Sequence, residues 1–342
     1  MTGSKKRVTI KDVAAQAGVS YQTVSRVINN QANVTEKTRG RVQQAIETLN
    51  FRPNLAARSL ARRRSNIIGL IVPYDADYLF RDPNLLAQIS SIDAEANARG
   101  YNLLLSTAAG SDNGLEAYER FVRNQVADGA LVVETAAGAA GNQLLNHNNY
   151  FYVSLGYDLS HTRKYFVHAD DRRGAGEATR HLLQKGHRRI GIINGPPIGA
   201  VGATQERLTG YMEALAEAGI IFDPCLMVYG DYTRPSGQQA TEKLLALSDR
   251  PTAIFAFNDR MAMGAIWKLK SAGLRVPEDV AVVGFDDIPA AADFSPPLTT
   301  VRLSGVQVGR VAAQMLFKLI EGEPIESPEV VLPAELIVRQ SS

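Results

Sequence analysis

The feature that most constrains this chain is an alternation that occurs twice. Residues 66–73 read Asn-Ile-Ile-Gly-Leu-Ile-Val-Pro, an apolar run of the kind that forms a strand covered on both faces. A helical stretch over 84–99 follows, stopped by Gly100, then an apolar run at 101–106, a second helical stretch over 113–124, and apolar runs at 129–133 and 151–155. The order then repeats, with an apolar run at 188–195, a helix over about 205–218, and runs at 225–229, 253–258 and 280–285. Strands alternating with helices select a parallel sheet, and two such series select two doubly wound sheets. Ligands bind such sheets at the carboxyl ends of the strands, so two facing lobes predict a cleft that closes on a small molecule. After Val301 the chain is expected to return to the first lobe, adding a helix over 305–321 and a terminal strand near 329–338. This gives a two-lobed α/β domain over 66–338, with a first lobe of about 66–162 plus 298–338 and a second of about 163–297.

The segment before it differs in kind. The formal net charge of +2 divides into +10 on residues 1–64, which hold 13 basic and 3 acidic residues, and −8 on the rest. A block so basic seeks a polyanion. It also carries helical periodicity. Thr9 with Asp12 three residues on predicts a helix start, and Val13 and Ala17 face one side. Gly18 supplies a positive-φ turn, Ser20 an N-cap, and Val24, Val27 and Ile28 the inner face of a second helix over about 21–29. A third helix from Thr35 buries Val42, Ala45, Ile46 and Leu49. The outer face of the second helix shows Tyr21, Gln22, Thr23, Ser25 and Arg26, hydrogen-bonding groups without an acid among them. A helix-turn-helix presents these positions to DNA, Gln suiting adenine, Arg suiting guanine, and Ser and Thr suiting phosphate.

The run from Val8 to Ser20, followed by Thr23-Val24-Ser25-Arg26-Val27-Ile28-Asn29, resembles the headpiece of the LacI/GalR repressors. The resemblance implies an all-α DNA-binding domain over 1–50, with base contacts from Tyr21, Gln22 and Arg26. Phosphate contacts fall on Thr9, Ser20, Thr23, Ser25 and Asn29. Residues 51–65 match the family's hinge pattern of Pro53-Asn54, Ala57-Arg58 and Leu60. Asn54, Ala57 and Leu60 are thereby implied in a hinge helix over the minor groove, Leu60 wedging a base step. The chain from about 66 to 338 is similar to the periplasmic sugar-binding fold of the same family, most clearly at Gly284-Phe285-Asp286-Asp287 and Pro297-Leu298-Thr299-Thr300.

Polar groups at strand ends are the candidates for ligand contact. Asn258-Asp259 and Asp286-Asp287 each end an apolar run, and Arg207 lies in the first turn of the second-lobe helix. The resemblance implies Arg207, Asn258 and Asp286 as ligand residues, with Tyr232 as a stacking ring. Asp259 and Asp287 are expected to cap helices instead. The first lobe departs from the family. Asp82-Pro83-Asn84-Leu85 stands where many members have Asn-Pro and two aromatics, with about five extra residues before it, including Tyr78 and Phe80, and Tyr157 stands for a strand-end arginine. Tyr74, Tyr78 and Tyr157 are candidates for that wall.

No Gly-Lys-Ser/Thr follows the Gly195–Ala200 loop, the five histidines lack metal spacing, and the adjacent Asp170 and Asp171 make a poor acid/base pair. No catalytic set, cofactor or metal is expected. One cysteine, no apolar leader and no membrane-length run place the expected protein in the cytoplasm. The reading is a transcriptional repressor, without enzymatic activity, that binds palindromic operator DNA as a homodimer. A small effector, most simply a sugar, controls it. The alternatives are a corepressor-dependent repressor, an activator, or a sugar-binding protein without a DNA function.

Overall fold

The computed structural model describes residues 8–28, 31, 33–51, 64–109, 114–133, 138–157, 164–196 and 202–342. Asn29, Asn54, Ala57 and Leu60 lie outside the described residues. The chain forms two compact units, 1–65 and 66–342.

The first unit holds helices α1 (Ile10–Ala17), α2 (Tyr21–Ile28) and α3 (Glu36–Thr48). Asp12 starts α1 by accepting from the Thr9 N–H at 2.8 Å and the Thr9 hydroxyl at 2.7 Å. Gly18, at φ +62°, ends it, and the Val19 N–H returns to the Ala14 carbonyl at 3.1 Å, the closure a left-handed cap provides. Ser20 Oγ then accepts from the Thr23 N–H at 3.2 Å and opens α2. Val13, Ala17, Val24, Val27, Val42 and Ala45 close a small core whose inward set is the one the periodicity predicts.

The second unit runs β1 (Ile67–Asp75), α4 (Ala76–Arg81), α5 (Pro83–Ala98), β2 (Asn102–Ala108), α6 (Leu115–Asn124), β3 (Gly129–Val133), α7 (Gly138–His147), β4 (Tyr152–Leu155) and β5 (Phe166–Ala169). It continues with α8 (Asp171–Gln184), β6 (Ile190–Asn194), α9 (Gly202–Glu217), β7 (Met227–Tyr229), α10 (Arg234–Leu245), β8 (Ala253–Ala256), α11 (Asp259–Ser271), β9 (Ala281–Asp286) and α12 (Pro289–Asp293). It ends with β10 (Thr299–Arg302), α13 (Gly305–Glu321), β11 (Glu329–Leu332) and β12 (Glu335–Ile337). One six-stranded sheet has the order β11-β5-β4-β3-β1-β2 and the other β12-β10-β9-β8-β6-β7. All the neighbouring strands are parallel except β10 and β12. The period of a strand explains how the first sheet is covered on both sides. Ile68, Leu70 and Val72 of β1 enter one core with α13, while Ile71 enters another with Tyr118 and Phe121 of α6. Helix α13 crosses α5 at backbone contact, because a Cβ on Gly305 or Gly309 would collide with Asn84 or Gln88.

The lobe boundaries differ from those expected. Residues 166–169 pair in the first sheet rather than opening the second lobe, and Thr299–Arg302 pairs with β9 in the second sheet rather than returning to the first. Residues 329–338 do not form one strand, since β11 joins the first sheet and β12 the second. An apolar run says that a strand is buried but not in which of two similar sheets it lies. Thr299 and Thr300 are held in the second lobe by side chains far along the chain. The Ser341 hydroxyl accepts from the Thr299 N–H at 2.8 Å, and Asp259 accepts from the Thr300 hydroxyl at 2.5 Å.

Replacing Gly18 by Ala should destabilise the first unit by about 1–2 kcal/mol, since a Cβ is penalised at that φ. Hydrogen exchange of the amides in 10–48 should speed up accordingly, with exchange in the second unit unchanged.

Candidate functional site: an interlobe cleft and a helix-turn-helix face

The carboxyl ends of both sheets open onto one cavity of about 180 Å³. Tyr74 enters it from the end of β1, Tyr157 from beyond β4, Asn258 from beyond β8 and Asp286 from the end of β9. Arg207 reaches it from the second turn of α9 and Tyr232 from the loop before α10. These six ligand candidates, and Tyr78 with them, therefore line a single space.

Arg207 is the electrostatic centre. It is buried, with Nε donating to Asp171 Oδ1 at 2.7 Å and Nη1 donating to the Phe257 carbonyl. Its guanidinium lies 3.8 Å from the centre of the Phe285 ring. Burial alone would lower its pKa, but Asp171 and Asp286 outweigh that and raise it, so the cation is fixed. Asp286 Oδ1 approaches Arg207 Nη2 only to 3.6 Å, which is an ion pair without a hydrogen bond. Burial drives the Asp286 carboxyl well above its ordinary range, against the pull of Arg207. Its backbone sits at φ +107°, a conformation that ordinary side chains avoid, where the residue lines the cavity. Tyr157 donates to the Ala169 carbonyl at 2.5 Å and also sits 3.1 Å from Asp171 Oδ2, and burial first and then Asp171 push its hydroxyl up. Tyr232 is held at φ +65° with its hydroxyl 2.6 Å from Thr204 Oγ1. The arrangement can bind a neutral molecule that offers both hydroxyls and an apolar face.

In the first unit, Tyr21, Gln22 and Arg26 are exposed along α2, Tyr21 by 54 %. Thr9 and Ser20 are exposed at helix starts, and Thr23 and Ser25 are half-buried. Val24 and Val27 of the same helix are buried, so the core pins the opposite face outward.

Comparison with known proteins now bears on both units. Residues 9–54 match the model of the lacI family of bacterial regulatory proteins, and residues 179–342 match a periplasmic binding protein-like domain. The HTH-type transcriptional regulator CelR of Thermobifida fusca is 37% identical, covering 98% of this chain and 99% of that protein. The chain belongs to the LacI family. The HTH-type transcriptional repressor PurR of Aliivibrio salmonicida is 34% identical over 97% of this chain and 98% of its own length. A solved complex of the transcriptional regulator CelR with cellobiose superposes with a TM-score of 0.76 at 36% identity, covering 98% of this chain and 100% of that one. A lac repressor dimer bound to operator and the anti-inducer ONPF gives 0.87 at 28% identity, covering 98% and 99%. This LacI-family member is a DNA-binding transcriptional repressor.

The structure also revises roles within the LacI-type cleft. Asp259 and Asp287 do not cap helices. Asn258 caps α11, with Oδ1 accepting from the Met261 N–H at 2.8 Å and Nδ2 donating to the Tyr232 carbonyl at 3.1 Å. Asp259 accepts from the Ile288 N–H at 2.8 Å, and Asp287 pairs with Arg302 at 2.8 Å and Arg339 at 2.7 Å. Asp171, a poor acid/base pair with its neighbour Asp170, is the main partner of Arg207. Asp170 alone caps α8, accepting from the Arg173 N–H at 3.2 Å, which leaves the Asp171 side chain free to turn inward. Asn84, Gln88 and Thr204 also line the cavity, and the sequence carried no strand-end signal for them. The extra residues before Pro83 form α4, which brings Tyr78 into the cavity and leaves Phe80 60 % exposed. Among the described residues no helix is long and apolar enough to cross a membrane.

Burial raises the Asp259 carboxyl to about 7, against hydrogen bonds from Thr300 and Ile288 that pull it down. The folded state then binds the proton more tightly than the unfolded state, so this group stabilises most at low pH and loses its contribution as pH rises from about 4 through 7. The difference in Tm between the natural protein and Asp259→Asn should therefore be largest near pH 4 and shrink toward pH 8, read by differential scanning calorimetry.

Proposed function

We propose that this LacI-family repressor is released from operator DNA when a small sugar closes the interlobe cleft. The observation that carries this reading is the pairing of one buried guanidinium with two carboxylates against a wall of tyrosines. Charged planar groups exchange hydrogen bonds with hydroxyls, and rings cover the apolar face of a sugar. In this reading Arg207, Asp286 and the remaining Asn258 Nδ2 hydrogen bind hydroxyls, while Tyr74, Tyr157 and Tyr232 supply ring faces and hydroxyls. The CelR–cellobiose complex supports a sugar, and cellobiose is the first to try.

The DNA side follows the exposed face of α2. Tyr21, Gln22 and Arg26 read base edges. Thr9, Ser20, Thr23, Ser25 and Asn29 hold phosphates. Asn54, Ala57 and Leu60 form the hinge that enters the minor groove. The repressor binds a palindromic operator in the cytoplasm as a homodimer, as the lac repressor dimer supports. It requires no cofactor and performs no catalysis.

Fluorescence anisotropy of labelled palindromic operators, with salt varied and cellobiose and other sugars added, tests the whole reading. Tight binding with a steep salt slope, reversed by a sugar, is expected. Binding that tightens with sugar would reverse the sign of control. Absence of sequence preference at every salt concentration would overturn the DNA reading. Arg207→Ala should abolish the response to sugar while leaving operator affinity unchanged. Arg26→Ala should weaken operator binding by about 1–3 kcal/mol and relax the preference at one base pair.

A further inference from the structure

The cleft cavity does not end at Tyr78. A wider recess of about 560 Å³ lies on the other side of it, and Tyr78 lines both spaces. Asp82 faces the inner space and Arg260 the outer one. Between the two spaces, Arg260 Nη1 of the second lobe meets Asp82 Oδ2 of the first at 3.4 Å, with side chains only 15% and 14% exposed. It is the one ion pair among the described residues that joins the lobes.

Arg260 is oddly placed for stability. It stands in the first turn of α11, where the helix dipole disfavours a cation unless a counter-charge is near. Asp82 supplies that charge only while the lobes are together. Each partner also has somewhere to go when they part. Asp82 caps α5, accepting from the Asn84 N–H at 3.0 Å and the Leu85 N–H at 3.1 Å, so its carboxylate stays satisfied. Arg260 lines the outer recess, which leaves its guanidinium room to turn outward. Tyr78, carried by the extra helix α4, packs on Tyr74 with ring centres 4.9 Å apart. Burial first, then Asp82, Tyr74 and the second-lobe Tyr232, raise its hydroxyl, and Tyr78 lines the inner cavity together with Tyr232.

We propose that Asp82, Arg260 and Tyr78 form a gate across the cleft proposed above, opening to admit the effector and closing to retain it. Ligands confined to the inner cavity let the pair re-form.

The test uses the full chain with spin labels on the exposed native Cys225 of the second lobe and on Glu119→Cys, an exposed position of α6 in the first. Labelled protein is diluted with unlabelled protein so that pulsed dipolar spectroscopy reads distances within one chain. Without ligand, Arg260→Met and Asp82→Asn should each enlarge the longer-distance population relative to the unsubstituted protein. Asp82→Asn keeps a capping side chain, and Arg260→Met keeps the apolar stem, so both should fold. The double variant should open no further than either single one. With cellobiose as the probe, stopped-flow dissociation from either variant should be about tenfold faster, the effect of one lost closing interaction. Identical distance distributions in variants and unsubstituted protein would overturn the gate. Failure of the unsubstituted protein to bind cellobiose would count against the proposed effector, while the ligand-free distances would still decide the gate.

Discussion

A buried guanidinium organises the ligand half of this molecule. Arg207 leaves α9, crosses the ring of Phe285 and meets Asp171, Asp286 and the carbonyl of Phe257. An unpaired cation there would be prohibitively expensive, so its partners must be delivered from separate elements at once. Asp171 comes from the start of α8, Asp286 from the end of β9, and Phe257 from the end of β8. Tyr157, from beyond β4 of the other sheet, closes on Asp171. The network ties the first lobe to the second at the floor of the cleft and leaves Asp286 with spare capacity toward the cavity.

The remaining architecture supports that point. The chain crosses between lobes near 170, 303 and 333, so three strands of backbone form the hinge. Residues 339–342 are stitched into the second lobe through Ser341, whose hydroxyl donates to the Val282 carbonyl at 2.6 Å. Glycines at 305 and 309 let α13 press against α5, the helix that carries Asn84 and Gln88 on the cavity wall. The two helices thus form one closely packed pair behind that wall. In the first unit the same economy appears on a smaller scale. The core fixes one face of α2, and that alone orients Tyr21, Gln22 and Arg26 outward.

Much of this was legible in the sequence, and for particular reasons. Local rules place the helix-turn-helix. Asp12 behind Thr9, glycine at 18 and serine at 20 each act within four residues, and the structure uses all of them. The ligand wall was legible where a polar residue ends an apolar run, which is how Asn258 and Asp286 are found. The roles of their neighbours were not. Asp259 and Asp287 look like caps locally, yet their partners Thr300, Arg302 and Arg339 lie far along the chain. Asp171 was not legible, since the alternation of an extended chain does not apply where a helix begins between two aspartates.

By itself the sequence determined the two kinds of unit, the period of each element, the charge division and the family, because these depend on neighbours within a turn or a strand. Only the tertiary structure decided which sheet receives β5, β10, β11 and β12, which carboxylate faces Arg207, and that the extra residues before Pro83 form a helix at the mouth of the cleft. Those outcomes depend on burial and charge pairing between groups more than a hundred residues apart in places, as between Asp82 and Arg260. No local pattern encodes a pairing of that reach, because its energy exists only once both lobes have formed.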